Sequence, residues 1–270
     1  VLCLLDILMN SFKNNFDLIN NTLIISDKKN STLRNIAYKY SIDVLDHDKT
    51  IGGRFSCFSL TGLLPMYLAG INSIKLKELA DKSFKKNLLR KNNVNSIFIT
   101  AVSQIINKKE ITGHIFLVYS DRLINVGNWY KQLWNESLGK NGLGLHLISA
   151  LGAVDQHSQL QMWLDGPDNL FYTIIIPKKR KKNFKVKDIH KLLPSFLNKQ
   201  KLGDILYYMG MATYKELVKA KRPVRLIYLE NDSLYPSVKL MSFLMLEVAV
   251  LGKILGINPF DQPAVEKVKI

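Results

Sequence analysis

A glutamate on the apolar side of a helix is the first residue in this chain that could do chemistry. Leu123, Val126, Tyr130 and Leu133 recur at three- and four-residue steps, which predicts an amphipathic helix. Trp129, Leu133 and Glu136 follow on one face, with Gln132 one turn before the glutamate. A carboxylate placed among apolar side chains is costly unless it has a partner or a task. Two readings stand. Glu136 lies at the edge of the stripe and reaches water, or it is a general base whose partial burial suits it to exchange a proton near neutrality. Gly139 is placed to cap the helix.

Three other clusters invite the same question. In Ile51-Gly52-Gly53-Arg54-Phe55-Ser56 the glycines allow a tight turn and close approach to a ligand, and Arg54 supplies a forked cation. The alternative is an ordinary glycine turn with a surface arginine. Asp155 is a good N-cap for a helix through Leu160, which puts His157 in the first turn, where the helix dipole disfavours the imidazolium. A neutral histidine there suits proton shuttling, or it is satisfied by the helix cap. Near the end, Pro263 fits the first position of a helix, and Gln262 and Lys269, seven apart, share a face. That stretch is either a site or a solvated terminal helix.

The elements around these residues alternate. Residues 2–16 read as a helix. Strand 22–26, a helix capped by Ser31 with Leu33, Ile36 and Ala37 on one face, and strand 42–45 form a parallel α/β layer. An apolar helix containing Pro65 (residues 57–71) leads to a second layer. There, residues 76–106 are expected to be helical with a break near Asn92-Asn93. Strands are expected at 114–120, 145–149, 171–176 and 224–229, and helices at 186–220 and 236–255. The basic run Lys178-Lys179-Arg180-Lys181-Lys182 has no interleaved aromatic and reads as a solvated loop.

Composition bounds the rest. The chain has 270 residues, 47% of them hydrophobic, enough for one large or two small domains with a sizeable core. A formal charge of +16 favours anionic partners, among them phosphorylated substrates, nucleic acid and acidic membranes. Cys3 and Cys57 make no disulfide framework and neither has a histidine beside it, which points to a reducing, cytoplasmic home. The start, Val1 to Leu5, is apolar but is interrupted by Asp6 and has no basic residues before it, so no secretory leader is expected. The apolar stretch Leu240 to Leu255 carries Glu247 and Lys253 and reads as too short and too charged to span a bilayer. The chain opens on valine in mid-helix, which implies that an N-terminal part precedes it.

Four motifs stand in order: Gly52-Gly53-Arg54-Phe55-Ser56, the stretch from Gln132 to Lys140, the stretch from Val154 to Gln161, and the stretch from Asn258 to Glu266. Together they closely resemble the glucose-6-phosphate isomerase family, bacterial type, over nearly the whole chain. The resemblance implies α/β architecture with SIS-type parallel sheets flanked by helices. Residues 1–70 would be the C-terminal part of a first SIS domain, and residues 71–270 a second SIS domain with a C-terminal helical arm. It implies an aldose-ketose isomerase of glycolysis and gluconeogenesis that interconverts glucose 6-phosphate and fructose 6-phosphate through a cis-enediol. Neither metal nor organic cofactor is implied. Glu136 matches the base that moves the proton between C1 and C2. Arg54 matches the arginine that steadies the enediolate, His157 the histidine that assists ring opening, and Lys269 the lysine beside it. Gln132, Gln262 and Gly53 match substrate-binding positions. The family's histidine comes from the neighbouring subunit, so a homodimer is implied, with no nucleic-acid or membrane partner. Ala264 stands where many members have glycine. The family's Ser-Lys-Thr-x-x-Thr phosphate loop and its glycine-serine turn are absent from these 270 residues, which implies little activity for this chain alone. The competing expectations are a non-catalytic SIS-type phosphosugar-binding module, which needs no base, and a nucleic-acid binder, which rests on charge alone.

Overall fold

The computed structural model describes residues 2–11, 20–89, 94–180, 182–188 and 191–267. The chain divides into two compact units, Val1–Ile74 and Lys75–Ile270.

In the first unit, helix α1 (Leu2–Ser11) is followed by strand β1 (Leu23–Ser26), helix α2 (Thr32–Tyr40) and strand β2 (Asp43–Asp46). The two strands pair in parallel, Leu23 opposite Asp43. Ser31 caps α2, its hydroxyl accepting from the Arg34 amide at 3.3 Å. Ile24, Ala37 and Ile42 form the buried centre, with Leu33 and Val44 against them. The Gly53–Phe58 stretch is a 3-10 turn, and α3 (Leu60–Leu68) with Pro65 inside it follows.

The second unit is a parallel sheet in the order β4-β3-β5-β6. Its strands are β3 (Gly113–Val118), β4 (His146–Leu151), β5 (Leu170–Pro177) and β6 (Val224–Leu229). Every residue of β3 is buried, and so is every residue of β5 after Leu170. Strands covered on both faces read as continuous apolar runs, which is why these two were visible in the sequence. Helices α7 (Val154–Asp165) and α8 (Leu202–Lys219) cover one face, where Ile115, Leu117, Tyr119, Trp163, Tyr172 and Ile174 pack. Helices α6 (Ile124–Leu138), α9 (Leu234–Ile254) and α5 (Val94–Ile106) pack on the other, with α4 (Ser73–Leu89) preceding them. The short α10 (Pro263–Glu266) ends the described chain, with Pro263 at its start. Gly127 of α6 lies so close to β4 that a Cβ there would stand 2.3 Å from the Ser149 hydroxyl. Its missing side chain lets the helix settle on the sheet.

Four expectations change. Residues 186–200 are irregular apart from a 3-10 turn at Ser195–Leu197, and helix begins only at Leu202. Arg180 is no solvated lysine-like residue. Its side chain is 6% exposed, donates to the Tyr119 carbonyl and faces Asp232 at 3.7 Å. Asp155 sits inside the first turn of α7, after the cap position at Ala153, and its carboxylate accepts from the Leu151 amide at 2.6 Å. Helix α9, at 21 residues, is long and apolar enough to cross a bilayer by length and composition, but it is largely buried in this unit, and its Glu247 is 0% exposed.

Candidate active site

Why Glu136 stands where it does follows from the crossover. A helix joining parallel strands must run back along the sheet, so its C-terminal end lies at the amino ends of the strands. Two side chains fix that end. Trp134 Nε1 donates to the Leu145 carbonyl at 2.8 Å. Asn135 exchanges two bonds with Leu147, accepting at 2.8 Å and donating at 3.1 Å, so α6 is tied to the start of β4. Tyr130, Leu133 and Trp134 are fully buried, while Glu136 on the flank is half-buried. Gln132 Nε2 donates to Glu136 Oε1 at 3.1 Å, the one-turn pairing that the spacing predicts.

Glu136 lines a pocket of about 660 Å³. Asn135, Gly139 and Lys140 continue its wall, and Asn258, Gln262 and Ala264 line it as well. Glu136 and Gln262, far apart in the sequence, therefore share one cavity. Gln262 occupies the cap position of α10 and is half-buried. An acidic group with amide donors around it, on the wall of a sugar-sized cavity, has the parts for proton transfer next to a carbonyl.

His157 lies elsewhere. It is exposed in the first turn of α7, which begins just beyond the carboxyl end of β4, whereas Glu136 is tied to the amino end of that strand. The six residues of β4 separate the two ends by about 20 Å at ~3.3 Å per residue. Gly53 and Arg54 belong to the first unit. Arg54 is 4% exposed, so it is not a surface arginine, and its guanidinium lies over the Phe55 ring at 5.5 Å. Gly53 is exposed, with open space where a side chain would be. Lys269 falls outside the described residues. Cys57 is half-buried, and burial pushes its thiol up to about 12, too high for a nucleophile at neutral pH. Sequence reasoning assigned no role to Asn135 or Lys140. Their bonds go to residues whose placement only the fold reveals.

No protein-family model matches the chain. Among curated proteins, the glucose-6-phosphate isomerase of Thermus thermophilus is 32% identical over 92% of this chain and 61% of its own length. That of Campylobacter jejuni is 31% identical over 100% of this chain and 67% of its own length. The chain thus spans about three fifths to two thirds of these relatives. A Thermus thermophilus crystal structure described as a hypothetical protein superposes with a TM-score of 0.91 at 30% identity, over 98% of this chain and 66% of that one. A glucose-6-phosphate isomerase structure from Chlamydia trachomatis gives 0.81 at 17% identity, over 97% of this chain and 54% of that one, which speaks to the fold alone. Aligned along its whole length with two thirds of the Campylobacter relative, this chain belongs to the glucose-6-phosphate isomerase family.

Proposed function

We propose that this chain carries the proton-transfer end of an aldose-ketose isomerase that interconverts glucose 6-phosphate and fructose 6-phosphate, a cytoplasmic reaction of glycolysis and gluconeogenesis. The observation that carries the reading is the pocket in which half-buried Glu136, paired with Gln132, faces the same space as Gln262. His157, assisted by Lys269, opens the sugar ring. The Glu136 carboxylate then takes the proton from C2 of the open-chain aldose. The C2–H electron pair becomes the C1–C2 double bond, the carbonyl π pair moves onto the aldehyde oxygen, and that oxygen takes a proton from water to give the enediol hydroxyl. Arg54 offsets the charge that builds on the enediolate oxygens. Glu136 returns the proton to C1, where the C1–C2 π pair forms the new C–H bond, while the C2 hydroxyl gives its proton to water and its O–H pair closes the C2 carbonyl, which leaves the ketose. Gln132, Gln262 and Gly53 hold the substrate. Residues 1–70 act as the end of a first SIS domain and residues 71–270 as the second.

The site is composite in a homodimer. Two groups that must reach one substrate cannot meet from opposite ends of β4 within a single chain. A two-fold partner brings its His157 to this chain's Glu136.

The test uses the chain extended by the part of the Campylobacter relative that it does not cover, where the family resemblance puts the phosphate donors, alongside the 270 residues alone, which should turn over poorly. Glu136→Gln and His157→Ala homodimers should each lose about 10²–10⁴-fold in turnover. Co-refolding equal amounts gives about half heterodimers, each with one intact site, so activity should recover to roughly a quarter of wild type. Heterodimers seen by mass with only the summed parental activities would show that His157 acts within its own subunit or not at all.

A further inference from the structure

Lys140 follows Glu136 by four residues, the spacing at which a helix pairs opposite charges. The helix stops at Leu138, however, and the lysine turns elsewhere. Its side chain is 11% exposed. An ammonium so enclosed is costly unless its protons are met. All three are met. Nζ donates to the carbonyl of Asn258, to the carbonyl of Asp261 at 2.8 Å and to Asp261 Oδ1 at 2.8 Å. A lysine has three donors and no acceptor. Its charge is already engaged, so it is not a spare cation for a substrate phosphate.

What Lys140 holds is a built turn. Asn258 Oδ1 accepts from the Phe260 amide at 3.0 Å, and Asn258 Nδ2 donates to Asp261 Oδ2 at 3.0 Å. The Asp261 carboxylate therefore ties the turn to itself with one oxygen and to Lys140 with the other. From the opposite side, buried Pro259 rests in the notch left by Gly252 of α9. Gln262 comes directly after this clamped turn and faces the pocket that Glu136 lines.

We propose that Lys140 is a positioning residue that latches the Asn258–Asp261 turn to the end of α6 and thereby sets where Gln262 stands relative to Glu136. The proposal rests on the isomerase reading for its effect on activity, but not for the latch itself. Lys140→Met keeps the stem and removes all three donors. On the 270-residue chain, hydrogen exchange followed by mass spectrometry should show amides of residues 257–262 exchanging about tenfold faster in Lys140→Met, with α6 unchanged. Kinetics would use whichever form, the chain alone or the extended chain, turns over fructose 6-phosphate. There Lys140→Met should lower kcat/KM about tenfold and match Gln262→Ala, and the double variant should be little worse than either, because both act through one contact. Unchanged exchange at 257–262 overturns the latch. Altered exchange with losses that multiply in the double variant overturns positioning through Gln262. If neither wild-type form isomerises the sugar phosphate, the functional reading fails, and the latch is still decided by exchange.

Discussion

Glu247→Leu would leave a buried guanidinium without its counter-charge, and the size of the loss follows from the contacts. Arg225 of β6 and Glu247 of α9 have side chains 5% and 0% exposed. Arg225 Nη1 and Nη2 donate to the two carboxylate oxygens, the second at 3.0 Å. Tyr130 OH donates to Glu247 Oε2 at 2.7 Å, and Arg225 Nε to Thr173 Oγ1 at 2.8 Å. Burial pulls the Arg225 pKa down, yet the Glu247 carboxylate more than offsets this and holds it raised. Removing one partner of such a pair costs about 3–5 kcal/mol, and the orphaned Tyr130 hydroxyl lies within that range. Against a typical stability of about 5–15 kcal/mol, that is a large share. Replacing the whole group (Arg225→Met, Glu247→Leu, Tyr130→Phe) removes the charges with the contacts, and should fall within about 2 kcal/mol of wild type. Urea unfolding followed by circular dichroism measures both, with the slope checked for constancy. A loss below about 1 kcal/mol for Glu247→Leu alone would mean that water reaches the pair, and the reasoning from burial would be refuted. Tyr130 ties this network to α6 fewer than two turns before Glu136, so the same network steadies the helix that carries Glu136.

Two further perturbations test other parts of the second unit. His114 is fully buried, with Nε2 bonded to Thr173 Oγ1 at 2.7 Å, and burial together with the nearby Arg225 charge holds its pKa well below the usual 6.5. Below 6.5 the unfolded chain binds a proton that the folded one refuses, so its contribution to stability is full above that pH and falls as pH drops. Relative to a His114→Leu control, unfolding free energy should decrease by about 1.4 kcal/mol between about pH 7.5 and about pH 5.5; a parallel pH dependence in the two proteins would show that His114 is protonated in the fold. Gly252→Ala should gain up to ~1 kcal/mol of helix propensity. It would also place a Cβ 2.8 Å from the rigid Pro259 ring, so the melting temperature should fall rather than rise.

The sequence reading succeeded where pattern and burial coincide, and it failed where a local signal had a remote answer. The strands β3 and β5 announce themselves because both faces are covered and nearly every side chain is apolar. Residues 186–200 mislead because Val186, Ile189 and Leu193 recur at three- and four-residue steps in the sequence. In the fold, the Asp188 carboxylate instead accepts from the Leu192 and Leu193 amides, and Pro194 follows, so the backbone takes a turn in place of a helix. Arg180 looks like its lysine neighbours until Asp232, from the segment after β6, arrives beside it. Lys140 reads as an ordinary cation at a helix C-terminus. Its true partners, Asn258 and Asp261, lie more than a hundred residues away.

The composite site proposed above rests on where Glu136 and His157 fall within their helices. In a parallel layer each helix starts at the carboxyl edge of the sheet and ends at the amino edge. Glu136 is in the last turn of α6, and His157 is in the first turn of α7. Consecutive helices on one sheet therefore carry these two side chains to opposite edges, whatever their rotamers. A reaction that needs both must take one from another copy of the chain, and a two-fold axis supplies the exchange reciprocally, each copy lending its histidine edge to the other's glutamate edge.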